Sequence, residues 1–249
     1  MIDLHAHILA DTDDGAGSFE ESVALLYEAK KAGFSGVICT PHYMQQFYER
    51  DVNYINDRMQ ELSLDSKRIG IHLYRANEVY IFNEICKFIE DKRVTTINGS
   101  KYVLLELPLT ETPINNTIEI VEEIVKNGYV PIIAYPERYP YVQKNIEFAK
   151  ELLRKGALLQ ANYASIDGYY GVQAKKTIIK LLKNKMIQFL GSDVHEKRTI
   201  YINMQKYIKA LSKYLSEDDL HELSYKNPIK VIHDEKITID IPKIVTKKS

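Results

Sequence analysis

The chain has 249 residues and carries 33 basic against 34 acidic side chains, which gives a formal net charge of −1. This balance argues against nucleic acid or an anionic membrane as a partner, and no apolar run approaches the roughly 18 residues of a membrane span. The N-terminus lacks the basic and apolar regions of a signal peptide, and two cysteines do not make a disulfide framework. We therefore expect a cytoplasmic chain that neither binds nucleic acid nor inserts into a membrane.

Seven short apolar runs, most of them bounded by Gly, Pro, Asn or charged residues, predict buried β-strands. In chain order they are Ile2–His5, Gly36–Thr40, Ile71–Ala76, Tyr102–Leu105, Val130–Ala134, Ala157–Ala161 and Met186–Leu190. Helical patterns with start and stop residues lie between them. These are a helix from the capping box Ser18/Glu21 to Gly33, Val52–Leu64, Asn116 to Gly128, Asn145 to Gly156, Gln173–Lys185, and a region from about Ile202 to Lys226 that stops at Asn227-Pro228.

Strands that alternate with helices indicate βα units, a parallel sheet and right-handed crossovers. Closed on itself, this pattern predicts an α/β fold, a distorted TIM-like (β/α)7 barrel one unit short of the usual eight. An open doubly wound sheet is the alternative. Without an internal repeat or a linker, residues 1–249 are expected to form a single domain, with a loose tail from about Lys236.

Histidines and carboxylates collect where the predicted strands end. Because the C-terminal ends of barrel strands meet at one mouth, these side chains are expected to lie together. His5/His7 and Asp193/His195 are i, i+2 pairs, which point the same way on an extended backbone. The candidates are His5, His7, Asp13, Asp14, His42, Glu78, Glu106, Asp193 and His195. Mixed imidazole and carboxylate ligands suit Mn, Fe or Zn.

Each candidate also has a structural interpretation. Asp13 and Asp14 precede Gly15 and can be turn residues, and a single His-x-His is a weak signal. Arg138 and Arg198 are candidates for holding a phosphate, although Arg138 can instead pair with its neighbour Glu137 or with another carboxylate. The other three histidines, His72, His221 and His233, are expected to be surface or structural residues.

Two other routes to phosphate chemistry are excluded by spacing. A cysteine-based phosphatase needs Arg six positions after its Cys, but Gln45 follows Cys39 and Lys92 follows Cys86 at that distance. The chain also lacks the Gly-x-x-x-x-Gly-Lys-Ser/Thr loop of P-loop enzymes.

The motifs together resemble the bacterial capsule-type tyrosine phosphatases of the PHP (polymerase and histidinol phosphatase) superfamily. They are His-x-His, Asp-Asp-Gly, Glu-Arg-Tyr after the fifth strand, Ser-Asp-x-His after the seventh and Asn-Pro near the C-terminus. The resemblance implies manganese, with two or three ions and with Fe or Zn as alternatives. It also implies hydrolysis of phosphotyrosine on a bacterial tyrosine kinase that regulates capsule or exopolysaccharide synthesis. The ligands implied are His5, His7, Asp14, His42, Glu78, Glu106, Asp193 and His195, with Arg138 on the phosphate and Asp193 as a candidate acid.

Two positions depart from the family pattern. Tyr135 replaces an imidazole ligand, which leaves phenolate ligation, weakened metal occupancy or a substituting water open, with weakened occupancy favoured. The segment around Arg198 lacks the expected Gly-Arg-Pro, so the role of Arg198 is open. Two alternative functions follow: a small-molecule phosphoesterase such as a histidinol phosphatase, and a degenerate protein that binds phosphotyrosine or a kinase without turnover.

Overall fold

The computed structural model describes residues 1–238. Nine short strands run through this part of the chain, and every pairing between them is parallel. They are Ile2–Ala6 (β1), Gly36–Cys39 (β2), His42–Tyr43 (β3), His72–Arg75 (β4), Glu78–Tyr80 (β5), Tyr102–Glu106 (β6), Val130–Ala134 (β7), Leu158–Asn162 (β8) and Phe189–Gly191 (β9). The seven predicted strands are confirmed. The two that sequence patterns missed, β3 and β5, are too short to show periodicity.

The strands form two sheets, ordered β1-β2-β4 and β3-β5-β6-β7-β8-β9. The chain passes from the three-stranded to the six-stranded sheet twice, between β2 and β3 and between β4 and β5. The neighbours β2 and β4 therefore continue as the neighbours β3 and β5. An isolated parallel bridge between Ala6 and Val194 links the far edges of the two sheets. The result is a barrel-like arrangement of parallel strands whose C-terminal ends face one mouth.

Ten α-helices lie between and after the strands. They are Phe19–Ala32 (α1), Val52–Ile69 (α2), Ile85–Glu90 (α3), Thr117–Lys126 (α4), Pro140–Lys144 (α5), Glu147–Arg154 (α6), Val172–Lys183 (α7), Met204–Leu211 (α8), Glu217–His221 (α9) and Asn227–Ile232 (α10). α1 begins as predicted, since the Glu21 amide donates to Ser18 Oγ at 3.2 Å, and it ends at Gly33 with φ of 96°. The capping box is only half formed, because the Glu21 carboxylate accepts from Gly17 instead of Ser18.

The C-terminal helical region differs from the prediction. Instead of one region that stops at Asn227-Pro228, the chain forms α8, α9, a wider helical turn at Glu222–Lys226 and then α10, which begins at Asn227. The predicted stop is wrong, because Pro228 lies in the first turn of a new helix. Proline lacks an amide hydrogen, but the amides of a first helical turn have no partner within the helix in any case. Asn227 Nδ2 donates to the Gln188 carbonyl at 3.0 Å and so fixes this helix start against the chain before β9.

The core is built from the strands and from the inner faces of the helices around them. Among residues 1–238, none of the helices is both long and apolar enough to cross a membrane. The single-domain organisation stays a prediction. The predicted loose tail falls mostly on residues 239–249, outside the described residues.

Candidate metal centre

Eight side chains, carried on or next to five strands and on one loop, meet at the mouth of the strands. They form three overlapping groups whose donor atoms lie within 4.8 Å of one another. The groups are His5, His7, Glu78 and Asp193; His7, Asp14, His42 and His195; and His42, Glu78 and Glu106. All eight ligands implied by the family resemblance are therefore brought together. His72, His221 and His233 are exposed and lie outside these groups.

Backbone hydrogen bonds between β1 and the segment after β9 align the two histidine motifs. The Asp193 amide donates to the His5 carbonyl at 2.8 Å, and the His7 amide donates to the Val194 carbonyl at 2.9 Å. Asp193 has φ of 55°, a left-handed conformation that a residue other than glycine rarely adopts. This local strain turns the Asp193 carboxylate towards His5 and His7.

Three of the imidazoles are oriented through Nδ1. His5 Nδ1 donates to Gln160 Oε1 at 2.9 Å, His7 Nδ1 donates to Asp13 Oδ2 at 2.6 Å, and His195 Nδ1 lies 3.1 Å from the Asp193 carbonyl. Each Nδ1 carries a hydrogen that it donates to an oxygen acceptor. In the neutral imidazole, Nε2 then has a free lone pair. Such Nδ1 partners are typical of histidines that bind metal through Nε2.

The donor atoms fit a cation better than they fit one another. His5 Nε2 and His7 Nε2 lie 3.0 Å apart, a repulsive approach of two lone pairs unless a cation or proton lies between them. Within residues 1–238, both Glu78 oxygens, Glu106 Oε2 and His42 Nδ1 are buried without a hydrogen-bond partner. Buried polar atoms without partners are costly, and a bound divalent ion would satisfy all of them.

Opposing charges shape the protonation of the cluster. Burial would raise the pKa of Glu78, but neighbouring imidazolium groups, His5 foremost, hold it well below its usual value. Burial would lower the pKa of His7, but Asp13 and Glu78 raise it well above its usual value. Burial and the Glu78 charge raise the pKa of Glu106 to about 8. The buried site thus attracts positive charge, whether as protons or as metal ions.

Sequence analysis missed Gln160 and counted Asp13 among the candidate ligands, whereas both residues orient histidines through hydrogen bonds. Asp13, weighed as a turn residue, is buried, and besides His7 it accepts from the His42 amide at 2.8 Å. Gln160 lies in β8, among apolar neighbours, and accepts from His5. Gln160 could have been found from the sequence, because it is a polar residue inside a predicted buried strand. No comparable signal distinguished Asp13 from Asp14.

Gly191→Ala is expected to lower the free energy of unfolding by about 1–3 kcal/mol and to displace His5. A Cβ at Gly191 would lie 2.7 Å from the His5 Cβ and 2.8 Å from Gln160 Nε2. Denaturant unfolding of the metal-free protein measures the loss. Gly17→Ala is the control, because its Cβ would meet nothing closer than Glu21 Oε2 at 3.8 Å. Equal stability of the two variants would contradict the expected clash.

Arg138 is the cation beside the cluster. It pairs with Asp193 Oδ2 at 2.8 Å, so the structural interpretation of a pairing with a carboxylate is met by Asp193 and not by Glu137. Its guanidinium lies between two aromatic rings, 4.4 Å from the centre of Tyr135 and 4.3 Å from that of Tyr170. Asn162 Nδ2 also donates to Asp193 Oδ2, at 2.8 Å. Arg138 is therefore held rigidly, with one edge bound to a predicted metal ligand.

Arg198, the second predicted phosphate-binding arginine, is not brought to the cluster. The residue is exposed, and its backbone amide donates to the Glu28 carboxylate on α1 at 2.9 Å and 3.1 Å. Its φ of 62° places it in a tight turn beyond His195. The geometry gives Arg138 alone the position next to the predicted ligands.

Tyr135 is buried and stacks on His5, with ring centres 5.8 Å apart and planes 21° from parallel. Burial, followed by the Glu78 charge, raises the pKa of its phenol well above the usual value. A neutral phenol is a poor metal ligand, so this environment disfavours phenolate ligation. The consequence for metal occupancy stays a prediction.

Glu137 gives the fold a pH dependence of its own. Its carboxylate accepts from the Asn162 amide at 2.8 Å and from the Ser165 hydroxyl at 2.6 Å, and burial raises its pKa from 4.5 to about 7. The folded chain keeps this proton to higher pH than the unfolded chain. Stability from this group is therefore greatest below pH 4.5 and decreases as pH rises to 7, by up to about 3 kcal/mol.

Glu137→Gln is expected to remove this pH dependence, because a neutral amide keeps an oxygen for both donors. The unfolding free energy of the variant, relative to the wild-type chain, should increase between pH 4.5 and pH 8. Denaturant unfolding at several pH values measures the difference. A constant difference across this range would contradict the assignment to Glu137.

Comparison with known proteins places this geometry among related chains. The family model for "Capsular polysaccharide synthesis, CpsB/CapC" matches residues 1–233. The putative tyrosine-protein phosphatase CapC of Staphylococcus aureus is 32% identical over 246 residues, 97% of this chain and 95% of the relative. The tyrosine-protein phosphatase YwqE of Bacillus subtilis is 29% identical over 215 residues, 86% of this chain and 84% of the relative.

Solved structures agree with these relatives. A structure reported with YwqE from Bacillus subtilis and CpsB from Streptococcus pneumoniae, described as unique metal-dependent tyrosine phosphatases, superposes with a TM-score of 0.90 at 27% identity. It covers 99% of this chain and 100% of its own. A histidinol phosphate phosphatase from Lactococcus lactis reaches a TM-score of 0.58 at 18% identity over 86% of this chain and 93% of its own, a likeness of fold alone. The predicted α/β fold with parallel strands is confirmed.

Proposed function

The chain belongs to the CpsB/CapC family of capsular polysaccharide synthesis, and from this premise we propose that it is a metal-dependent protein tyrosine phosphatase. The observation that carries the proposal is the buried set of imidazoles and unsatisfied carboxylates next to a rigidly held arginine. Metal ligands and a phosphate-binding cation side by side are what hydrolysis of a phosphate monoester needs.

Different residues at the mouth would bind the metal ions and the phosphate. When bound, metal ions supply an acidified water and neutralise charge on the phosphoryl oxygens. Arg138 has one guanidinium edge on Asp193 and its side chain is 24% exposed, so its remaining N–H groups can bind the equatorial oxygens. Asp193 Oδ2 accepts from Arg138 and Asn162, which keeps the carboxylate in place as an acceptor.

The leaving group of a phosphotyrosine ester needs little assistance from a general acid. Phenolate, whose conjugate acid has a pKa of about 10, leaves more readily than an alkoxide. Water at the open mouth can protonate it, and Asp193 is available as a donor only if Oδ2 is released by Arg138. A phosphotyrosine substrate therefore matches a site in which the Asp193 carboxylate is occupied as an acceptor.

The finer features follow from the same premise. The proposed metal is manganese, as two or three ions, with Fe or Zn as alternatives, since mixed imidazole and carboxylate ligands accept all three. The proposed substrate is a phosphotyrosine-bearing protein, a bacterial tyrosine kinase of capsule or exopolysaccharide synthesis. A cytoplasmic location stays a prediction.

Phosphate release from two substrates tests the proposal. The metal-loaded protein is given a phosphotyrosine peptide and, separately, histidinol phosphate, and inorganic phosphate is measured. Turnover of the peptide at a higher kcat/KM supports the proposal. Preference for histidinol phosphate supports a small-molecule phosphoesterase, and peptide binding without release of phosphate supports a degenerate binding protein.

A further inference from the structure

Two clefts open beside the metal centre. The larger, of about 590 Å³, is lined by Asp11, Asp13, Glu49 and Arg50 among others. The smaller, of about 220 Å³, is lined by Arg138, Tyr169, Tyr170, Asp193, His195 and Ile200 among others. The larger cleft sets three carboxylates against Arg50, whereas the smaller sets Asp193 and Glu196 against Arg138, so a phosphate dianion meets the less negative lining in the smaller cleft. The smaller cleft joins the proposed phosphate-binding cation directly to two of the predicted ligands.

Arg138 fixes where the phosphorus lies in the smaller cleft. Its guanidinium cannot rotate freely, because Tyr135 and Tyr170 cover its two faces and Asp193 binds one edge. The Tyr170 hydroxyl also donates to Asp193 Oδ2, at 3.4 Å, so Tyr170 is already engaged in holding this pair. The organic part of a phosphate ester bound to Arg138 must then leave the cleft past the residues at its outer wall.

Tyr169 is the aromatic residue of that outer wall. Its ring packs edge-on against Tyr170, with centres 5.0 Å apart and planes 81° from parallel, and the residue is 55% exposed. An exposed aromatic side chain at the rim of a polar cleft is not part of the core. Such a side chain is suited to packing against a ligand ring. Ile200 lines the same cleft but is only 2% exposed, so it adds a small apolar contact beside that of Tyr169.

We propose that Tyr169, with Ile200, forms an aryl subsite that packs against the phenyl ring of phosphotyrosine while Arg138 holds its phosphate. The inference rests on the proposed function, which it deepens by placing the substrate ring. The subsite favours aryl over alkyl phosphates by contact with the ring, separately from any difference in leaving group.

Binding without turnover tests the subsite. The probes are a peptide that carries phosphonomethyl-phenylalanine, which keeps the ring and cannot be hydrolysed, and inorganic phosphate, which has no ring. For Tyr169→Ala, the dissociation constant of the phosphonate peptide on the metal-loaded protein is expected to rise about three- to tenfold. The dissociation constant of inorganic phosphate should stay within about twofold, since Arg138 is untouched. Tyr169→Phe should bind both probes as the wild-type chain does.

A matched control and separate outcomes keep this test distinct from that of the activity. Tyr225→Ala removes another partly exposed tyrosine, which packs on His221 away from the cleft, and should change neither constant. Unchanged peptide binding by Tyr169→Ala, or an equal loss for inorganic phosphate, would overturn the aryl subsite. No release of phosphate from a phosphotyrosine peptide by the wild-type chain would instead overturn the proposed function.

Discussion

Asp193→Asn is expected to lower kcat/KM for a phosphotyrosine peptide about 10³-fold or more. Asp193 Oδ1 lies 3.5 Å from His5 Nε2 and 3.7 Å from His7 Nε2, and Oδ2 accepts from Arg138 at 2.8 Å. An amide cannot serve both sides, because its nitrogen must face either the guanidinium or the proposed ions. The substitution also removes a negative charge from the site.

Asp65→Asn is the matched control for this prediction. Asp65 pairs with Arg68 on the surface of α2 and belongs to none of the three groups of predicted ligands, so this variant should keep full activity. Steady-state kinetics and metal content are measured on both variants. Asp193→Asn with full metal content and more than about a tenth of the wild-type kcat/KM would contradict a ligand role.

Removal of metal is expected to abolish phosphate release and to lower the melting temperature. Without ions, four carboxylates and four imidazoles face one another in a mostly buried space. An ion that binds the folded chain and not the unfolded chain stabilises the folded state by mass action. Chelation followed by gel filtration gives the metal-free protein, whose activity and thermal unfolding are measured.

Re-addition of single metals identifies which ions fit. Mn is expected to restore activity and melting temperature, and Fe or Zn to restore them in part. Ca and Mg should do so poorly, since they prefer oxygen ligands over imidazole. Full activity in a preparation shown by mass spectrometry to contain no transition metal would refute the metal-dependent mechanism.

The sequence predicted which side chains come together at the mouth better than it predicted the contacts around them. His5, His7 and Asp193 were found because their residue types and i, i+2 spacing fall at strand ends, which a parallel fold brings to one mouth. His42 and Glu78 lie on β3 and β5, strands too short for periodicity, and only their place after longer strands indicated them. Local pattern and topology were sufficient to place a candidate residue at the mouth where an apolar run preceded it in the sequence.

Residues that act through long-range contacts escaped prediction. Gln160 lies 155 positions from His5 in the sequence, and Tyr170 lies 32 positions from Arg138, so no local pattern pairs them. The Asn227-Pro228 stop failed for the opposite reason: a local rule was applied without knowing that a new helix would begin there. Arg198 was chosen by its position beside His195, but the turn after His195 directs its backbone to Glu28 instead.

The two oxygens of Asp193 make metal and phosphate binding thermodynamically linked. Oδ1 faces the imidazoles and Oδ2 holds Arg138. An ion held by Oδ1 would withdraw charge from Oδ2, weaken its hold on Arg138 and make the guanidinium more available to an anion. By reciprocity, phosphate on Arg138 would leave the carboxylate more available to the ion and tighten the retention of the ion by the same factor. Inorganic phosphate, the proposed product, would thus protect the protein against metal loss when the ion is scarce.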